Sequence, residues 1–292
     1  MEDLLSPKQV AKAIGSSEAS LKRWCDKGII EAVRTAGGHR RIPVSSVMQF
    51  LREAGRPLVN PKVLGLPATI GQGAKPDGRA LAHVTETLES GDEDRFRATL
   101  MELYLAGKSA CEICDHFIAP AFDEIGSRWQ HGDVEVYQER RGVEICTRAV
   151  IELRAAFSPP AHDACYAFGA TLDDDPYTLP TTMAEVALRE AGWRAESFGA
   201  GHPLSTLRAA LVDRRPRLIW VSFSVEPRSD TRLAEWTEFY EFAARENVAV
   251  AVGGRGLSEN ARSRMSYSAH CDRLSHLVAF ASTLSSRNSG PG

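Results

Sequence analysis

The sequence predicts a multidomain α and α/β protein: a winged helix-turn-helix, then a four-helix bundle, then a flavodoxin-like, doubly wound parallel sheet. Three observations predict it. Residues 1–54 hold short, well-capped helical patterns around a Gly-Gly hairpin, and residues 78–158 show helical periodicity only. From Ala164 the period changes, and short apolar runs alternate with helical patterns, as in a parallel sheet covered on both faces. The 292 residues suffice for two or three domains. The expected division is 1–54, a linker at 55–77, 78–160 for the bundle and 161–292 for the α/β part.

Composition sets bounds. Apolar residues at 43% and charged residues at 25% suit an ordinary globular protein. No apolar run approaches the ~18 residues of a membrane span, and the polar start MEDLLSPKQ lacks a signal-peptide pattern, so a cytoplasmic protein without membrane contact is expected. The six cysteines have no framework spacing and suit reduced thiols. Cys111-x-x-Cys114-x-His116 lies in a helical pattern without a second ligand pair and reads as core packing, so no metal site is expected. Charge is uneven: residues 1–56 carry ten Lys/Arg against six Asp/Glu, a net of +4, which leaves −7 for the remainder of a chain at −3. A basic module on an acidic body points to a polyanion met by the first module alone.

The elements follow in order. Ser6-Pro7-Lys8-Gln9 has the form of a capping box with Pro at the first helical position. Val10, Ala11 and Ile14 line that helix, which stops at Gly15. A second helix begins at Ser16 or Ser17, turns Leu21, Trp24 and Cys25 inward and ends at Gly28. Two strands flank Ala36-Gly37-Gly38, where glycine supplies the positive φ of a hairpin. Ser45 or Ser46 is expected to cap a third helix with Val47, Phe50 and Leu51 inside. Residues 55–77, rich in Gly and Pro, read as a loose linker. Four helices then follow, separated near Gly91, Gly107 and Gly132. In the last of them Val136, Glu139, Val143, Cys146, Val150, Leu153 and Phe157 form one stripe, with Glu139 the odd carboxylate on an apolar face. Strands are expected at Ala164–Ala170, Trp193–Phe198, Leu218–Phe223 and Val248–Val252, with a fifth near His270 and Cys271.

The second helix offers Ser20, Lys22, Arg23 and Lys27 opposite its Leu/Trp face, chemistry suited to groove edges and phosphates. The hairpin adds His39, Arg40 and Arg41, placed to reach phosphates or a minor groove. "SPKQVAKAIGSSEASLKRWCDKGII" followed by "RTAGGHRRIP" resembles the winged-helix domain of MerR-family transcriptional regulators. That resemblance implies a double-stranded DNA operator and a homo-oligomer.

The layout behind this head resembles the cobalamin-binding half of light-responsive repressors of the CarH/LitR kind. Trp129 and Glu139 resemble that family's Trp…Glu-His signature. Ser222-Phe223-Ser224 and Gly253-Gly254 resemble its Ser-x-Ser and Gly-Gly strand ends. The family's Asp-x-His-x-x-Gly loop falls on Asp175–Pro180, where Tyr177 stands for the cobalt-ligating His and Pro180 for the Gly. In the bundle signature Arg140 replaces the His. An Arg cannot ligate a metal and a Tyr must first deprotonate. The resemblance therefore leaves three alternatives. The cavity takes another ligand, such as the tetrapyrroles biliverdin or haem, lined by Trp129, Glu139, Arg140 and Tyr177; or it has closed and a protein partner is in control; or cobalamin binds without a protein axial ligand. Asp175, Ser222, Ser224, Gly253 and Gly254 complete the candidate ligand residues. The aspartates at 173–175 read as a solvated loop, His131 as a turn residue, and His270 and Cys271 as packing. No Ser/His/Asp or Cys/His constellation suggests an enzyme.

Overall fold

The computed structural model describes residues 4–68, 70, 79–227 and 229–286. The chain forms two compact units, divided between Ser158 and Pro159.

The first unit opens with β1 (Leu4–Leu5), α1 (Pro7–Ala13), α2 (Glu18–Asp26), β2 (Val33–Arg34), β3 (Arg40–Pro43) and α3 (Val44–Ala54). Ser6 and Gln9 close a reciprocal capping box on α1, and the Ser17 hydroxyl accepts the Ser20 amide at the start of α2. The three strands pair antiparallel in the order β1-β3-β2. β1 has no sequence signal of its own: two leucines extend only because β3 offers an unpaired edge. Val10, Leu21, Ile30, Ile42, Val47, Met48 and Leu51 form a core at which each is 0–1% exposed.

Two expectations about this region are corrected. Ser45 and Ser46 do not cap α3; both are buried inside its first turn, and Pro43 occupies the cap without a side-chain hydrogen bond. The stretch after α3 is not loose where it is described. The amides of Val59 and Asn60 donate to the Ala13 carbonyl, Pro61–Leu64 form a 3-10 turn, and Leu58, Leu64 and Ile70 are buried. Three apolar side chains among prolines suffice to dock a segment that polar glycines alone would leave in solvent. Residues 69 and 71–77 of the expected linker lie outside the described residues.

The bundle comprises α4 (Ala80–Ser90), α5 (Glu93–Leu105), α6 (Ala110–Ile113), α7 (Ala119–Gln130) and α8 (Val136–Leu153), with a π turn at Cys114–Ile118 joining α6 to α7. Gly91, Gly107 and Gly132 take positive φ at the three helix ends. α6 and the π turn together carry the Cys-x-x-Cys-x-His stretch; Cys111 and Cys114 are buried, and no metal-holding cluster occurs among the described residues. The stripe on α8 is corrected in its first half. The buried face is Gly142, Ile145, Cys146, Ala149, Val150 and Leu153, whereas Val136 is exposed and Glu139 only partly covered. A face of small residues fits closer to α4 than the valines of the expected stripe, and Gly142 lies against Leu88.

The second unit holds β4 (Tyr166–Ala170), α9 (Leu179–Glu190), β5 (Arg194–Ser197), α10 (Leu204–Arg214), β6 (Leu218–Ser222), α11 (Asp230–Arg245), β7 (Ala249–Gly253), α12 (Glu259–Ser263), β8 (Ala269–Cys271) and α13 (Leu274–Ser286). The parallel strands lie in the order β5-β4-β6-β7-β8, the flavodoxin-like winding. Alternation along each strand divides the core. Phe168, Ile219, Val221, Val250 and Val252 pack with Leu207, Leu233, Trp236 and Phe239 of α10 and α11. Ala167, Leu218, Trp220 and Ala251 pack with Ala184 and Leu188 of α9 and with Leu277 and Ala281 of α13. No helix among the described residues is long and apolar enough to cross a membrane.

Candidate functional site

In the head, α2 lies apolar side down, and its solvent side carries Lys22, Arg23 and Lys27. Lys22 pairs with Glu18 at 2.8 Å, while the side chains of Arg23 and Lys27 are free of partners among the described residues. Ser20 is partly covered and hydrogen-bonded to Ser17 at 2.9 Å. The wing is held by Thr35: its amide donates to the His39 carbonyl at 2.9 Å, and its carbonyl accepts the Gly38 amide at 2.8 Å. Gly38 takes φ +78°, the conformation that a Gly-Gly turn anticipates. His39 is exposed on the tip, and Arg41 on β3 is free of partners among the described residues. Arg40 instead donates to the carboxylate of Asp26 in α2. An exposed arginine went unnoticed in the sequence: Arg34 on β2, detectable only once the strand pairing sets it opposite Arg40.

At one end of the bundle Trp129, Val136 and Tyr137 are exposed, a concentration of apolar surface. His131 caps α7 through a 2.7 Å contact of its Nδ1 with the Ser127 carbonyl. Glu139 is not an isolated buried carboxylate; it meets the Arg140 guanidinium at 3.4 Å and its side chain stays 25% exposed.

The carboxyl edge of the sheet carries the remaining candidates. Asp175 is 4% exposed, and both carboxylate oxygens are engaged: Oδ1 accepts the Tyr177 amide at 3.1 Å, Oδ2 the Ser224 amide. Asp173 and Asp174 are exposed, as a solvated loop implies, and both pair with Arg232 of α11, at 3.2 and 2.7 Å. Ser222 is buried at the end of β6, opposite Gly253. Gly254 has φ +105°, and a Cβ there would sit 2.3 Å from the Phe223 carbonyl oxygen. Gly253 and Gly254 thus let the loop after β7 lie directly on its neighbours. Behind this edge the Trp220 indole fills the space between β4 and α9. A Cβ on Gly169 would fall 2.1 Å from its ring, and its Nε1 donates to Thr181 Oγ1 at 2.9 Å. Neither Trp220 nor Thr181 stood out in the sequence, because a tryptophan in an apolar run gives no sign of which face it fills.

Residues 4–55 match the model of a helix-turn-helix domain, and residues 80–154 match that of a B12 binding domain. The architecture is CarH-like. Two proteins of Myxococcus xanthus are similar along most of their length. HTH-type transcriptional repressor CarA is 24% identical over 92% of this chain and 93% of its own. HTH-type transcriptional repressor CarH is 24% identical over 85% of each. The monomethylamine corrinoid protein of Methanosarcina barkeri superposes with a TM-score of 0.57 at 12% identity, covering 70% of this chain and 97% of that one, a likeness of fold.

The side chains at the two candidate ligand positions would not hold a corrinoid through an imidazole. On the resemblance drawn from the sequence, Tyr177 and Arg140 would take the places of the imidazoles, and neither side chain offers a metal a neutral ring nitrogen. Asp175 already accepts two backbone amides, one on each carboxylate oxygen. The Trp220 indole also occupies the interior beside α9.

Proposed function

We propose that this chain is a DNA-binding transcriptional regulator: the head reads an operator, and the bundle and α/β sheet set when it does so. One observation carries the proposal. α2 and the wing place free cations side by side on a head that holds the basic share of an otherwise acidic chain. The helix-turn-helix match and the two repressors that share the layout support it. Repeated half-sites then call for a homo-oligomer in the cytoplasm. The two repressors that share the layout favour a regulator over an enzyme.

For control we propose a planar ligand lacking a nucleotide tail, a tetrapyrrole such as biliverdin or haem. Trp129 and Tyr137 offer exposed rings at the end of the bundle, and Arg140 a guanidinium for a ring carboxylate. Light would act only through such a chromophore. The second reading is control by a protein partner with no ligand, favoured by the closure of the aspartate loop by Arg232 and Ser224.

Two measurements test these. Selection from random DNA by the full chain should yield a preferred duplex; failure to enrich any sequence ends the regulator reading. Absorbance of the desalted protein after dark incubation with adenosylcobalamin, haem or biliverdin should show a stoichiometric band with haem or biliverdin. A retained cobalamin band would restore binding without a protein imidazole, and no band with any of the three would leave the partner reading.

A further inference from the structure

We infer that the wing divides its arginines between two tasks: Arg40 is a strut fixing the wing to α2, and Arg34 is the cation that the wing presents to DNA beside α2. The inference rests on the DNA-binding reading above.

The exposed residues of α2 are Glu18, Ala19, Lys22, Arg23 and Asp26, the last four at i, i+3, i+4 and i+7. Glu18 is already paired with Lys22, which leaves Asp26 as the acid that the helix itself does not match. An acid one turn beyond two cations is a mismatch on a surface that meets phosphates, since like charges repel. Arg40 removes the mismatch: its Nη2 donates to Asp26 Oδ1, and the pair carries no net charge. Arg40 is also the better covered of the two, its side chain 23% exposed against 55% for Asp26. An arginine held in this way spans wing and helix, and its charge is already matched before any phosphate arrives.

The strand register then separates Arg34 from Arg41. In an antiparallel pair, directly opposed residues share a face. Arg34 is opposed to Arg40, and Val33 to Arg41. Ile42, two residues beyond Arg40, is 0% exposed, so the face shared by Arg34, Arg40 and Ile42 is the one turned toward the helices. Arg34 lies at its outer end, exposed and free of side-chain partners among the described residues. Arg41 points the other way. Arg34 is therefore the unneutralised wing cation on the side of α2.

Each phosphate contact releases counterions, so losing one reduces the slope of log affinity against log salt by about 0.9. The test uses the full chain and the duplex it selects from random DNA, titrated across a salt series. Arg34→Ala should weaken binding about tenfold and reduce the slope by about one. The double variant Asp26→Ala/Arg40→Ala, which removes a neutral pair, should keep the wild-type slope. On the free chain, Arg40→Ala should speed amide exchange at residues 35–39, and Arg34→Ala should not. An unchanged slope in Arg34→Ala, or a slope reduced by about one in the double variant, overturns the assignment. Unchanged wing exchange in Arg40→Ala overturns the strut. A wild-type chain that selects no duplex overturns the DNA-binding reading, and Arg34's part with it; exchange on the free chain still decides the strut.

Discussion

The carboxylate of Asp175 ties two loops of the α/β unit together, accepting the amide of Tyr177 at 3.1 Å with one oxygen and the amide of Ser224 with the other. Each hydrogen bond to a charged group contributes about 1.5–3 kcal/mol, and a buried amide left without a partner costs a similar amount. Asp175→Ala should lower unfolding free energy by about 3 kcal/mol, and Asp175→Asn, which keeps one acceptor, by less. Chemical denaturation measures both. Equal stability of Asp175→Ala and wild type would show that the loops are held by something else.

Trp220 decides what fits beside α9. Trp220→Phe keeps most of the ring but removes the donor to Thr181, whose oxygen still accepts from Ser197 at 3.2 Å, so a cost of about 1 kcal/mol is expected. Trp220→Ala should cost about 3–5 kcal/mol and leave a cavity against Gly169. If that variant retains adenosylcobalamin after desalting and wild type does not, the indole is the barrier to the nucleotide tail. Retention by neither places the barrier at Asp175 and Tyr177.

Two glycines with positive φ should respond differently to alanine. Gly28 has φ +68° and no atom within 4 Å of an added Cβ, so Gly28→Ala pays only the left-handed backbone, about 1–2 kcal/mol. At Gly254 the same Cβ would collide with the Phe223 carbonyl 2.3 Å away, and backbone must move. Gly254→Ala should therefore lower the melting temperature well beyond Gly28→Ala. Similar shifts at the two sites would mean that the loop after β7 yields freely.

Tyr166 and Glu196 give the α/β unit an acid dependence. The Tyr166 hydroxyl donates to Glu196 at 2.6 Å, joined there by Arg214 at 2.6 Å. The bond from Tyr166 holds the Glu196 carboxyl below its usual value, and burial is the main cause that pushes the Tyr166 phenol up to about 12. A lowered carboxyl contributes stability above its unfolded value that is lost as pH falls through the folded one; a raised phenol contributes below about 10 and loses it as pH rises through about 12. The stability difference between wild type and Tyr166→Phe should thus stay level from roughly pH 6 to 9 and shrink below about pH 4. A difference that grows in acid would contradict the assignment.

What the sequence determined by itself was the local structure. The capping box at Ser6, the glycine ends of the bundle helices, the Gly-Gly wing and the change of period at Ala164 each depend on residues a few positions apart, and each appears where spacing implies it. Tertiary structure alone decided the partners. Asp173–Asp175 read as a solvated acidic loop, which holds for Asp173 and Asp174, whereas Asp175 is buried because its partner Ser224 lies about fifty residues away in the chain. Glu139 read as buried because periodicity marks a face without saying how far along the helix that face is covered. Arg40 and Arg41 read alike until the strand register turned one toward Asp26. Caps and turns are local and can be read from neighbours, whereas the worth of a charge depends on which opposite charge the fold brings within reach, and only long-range packing sets that distance.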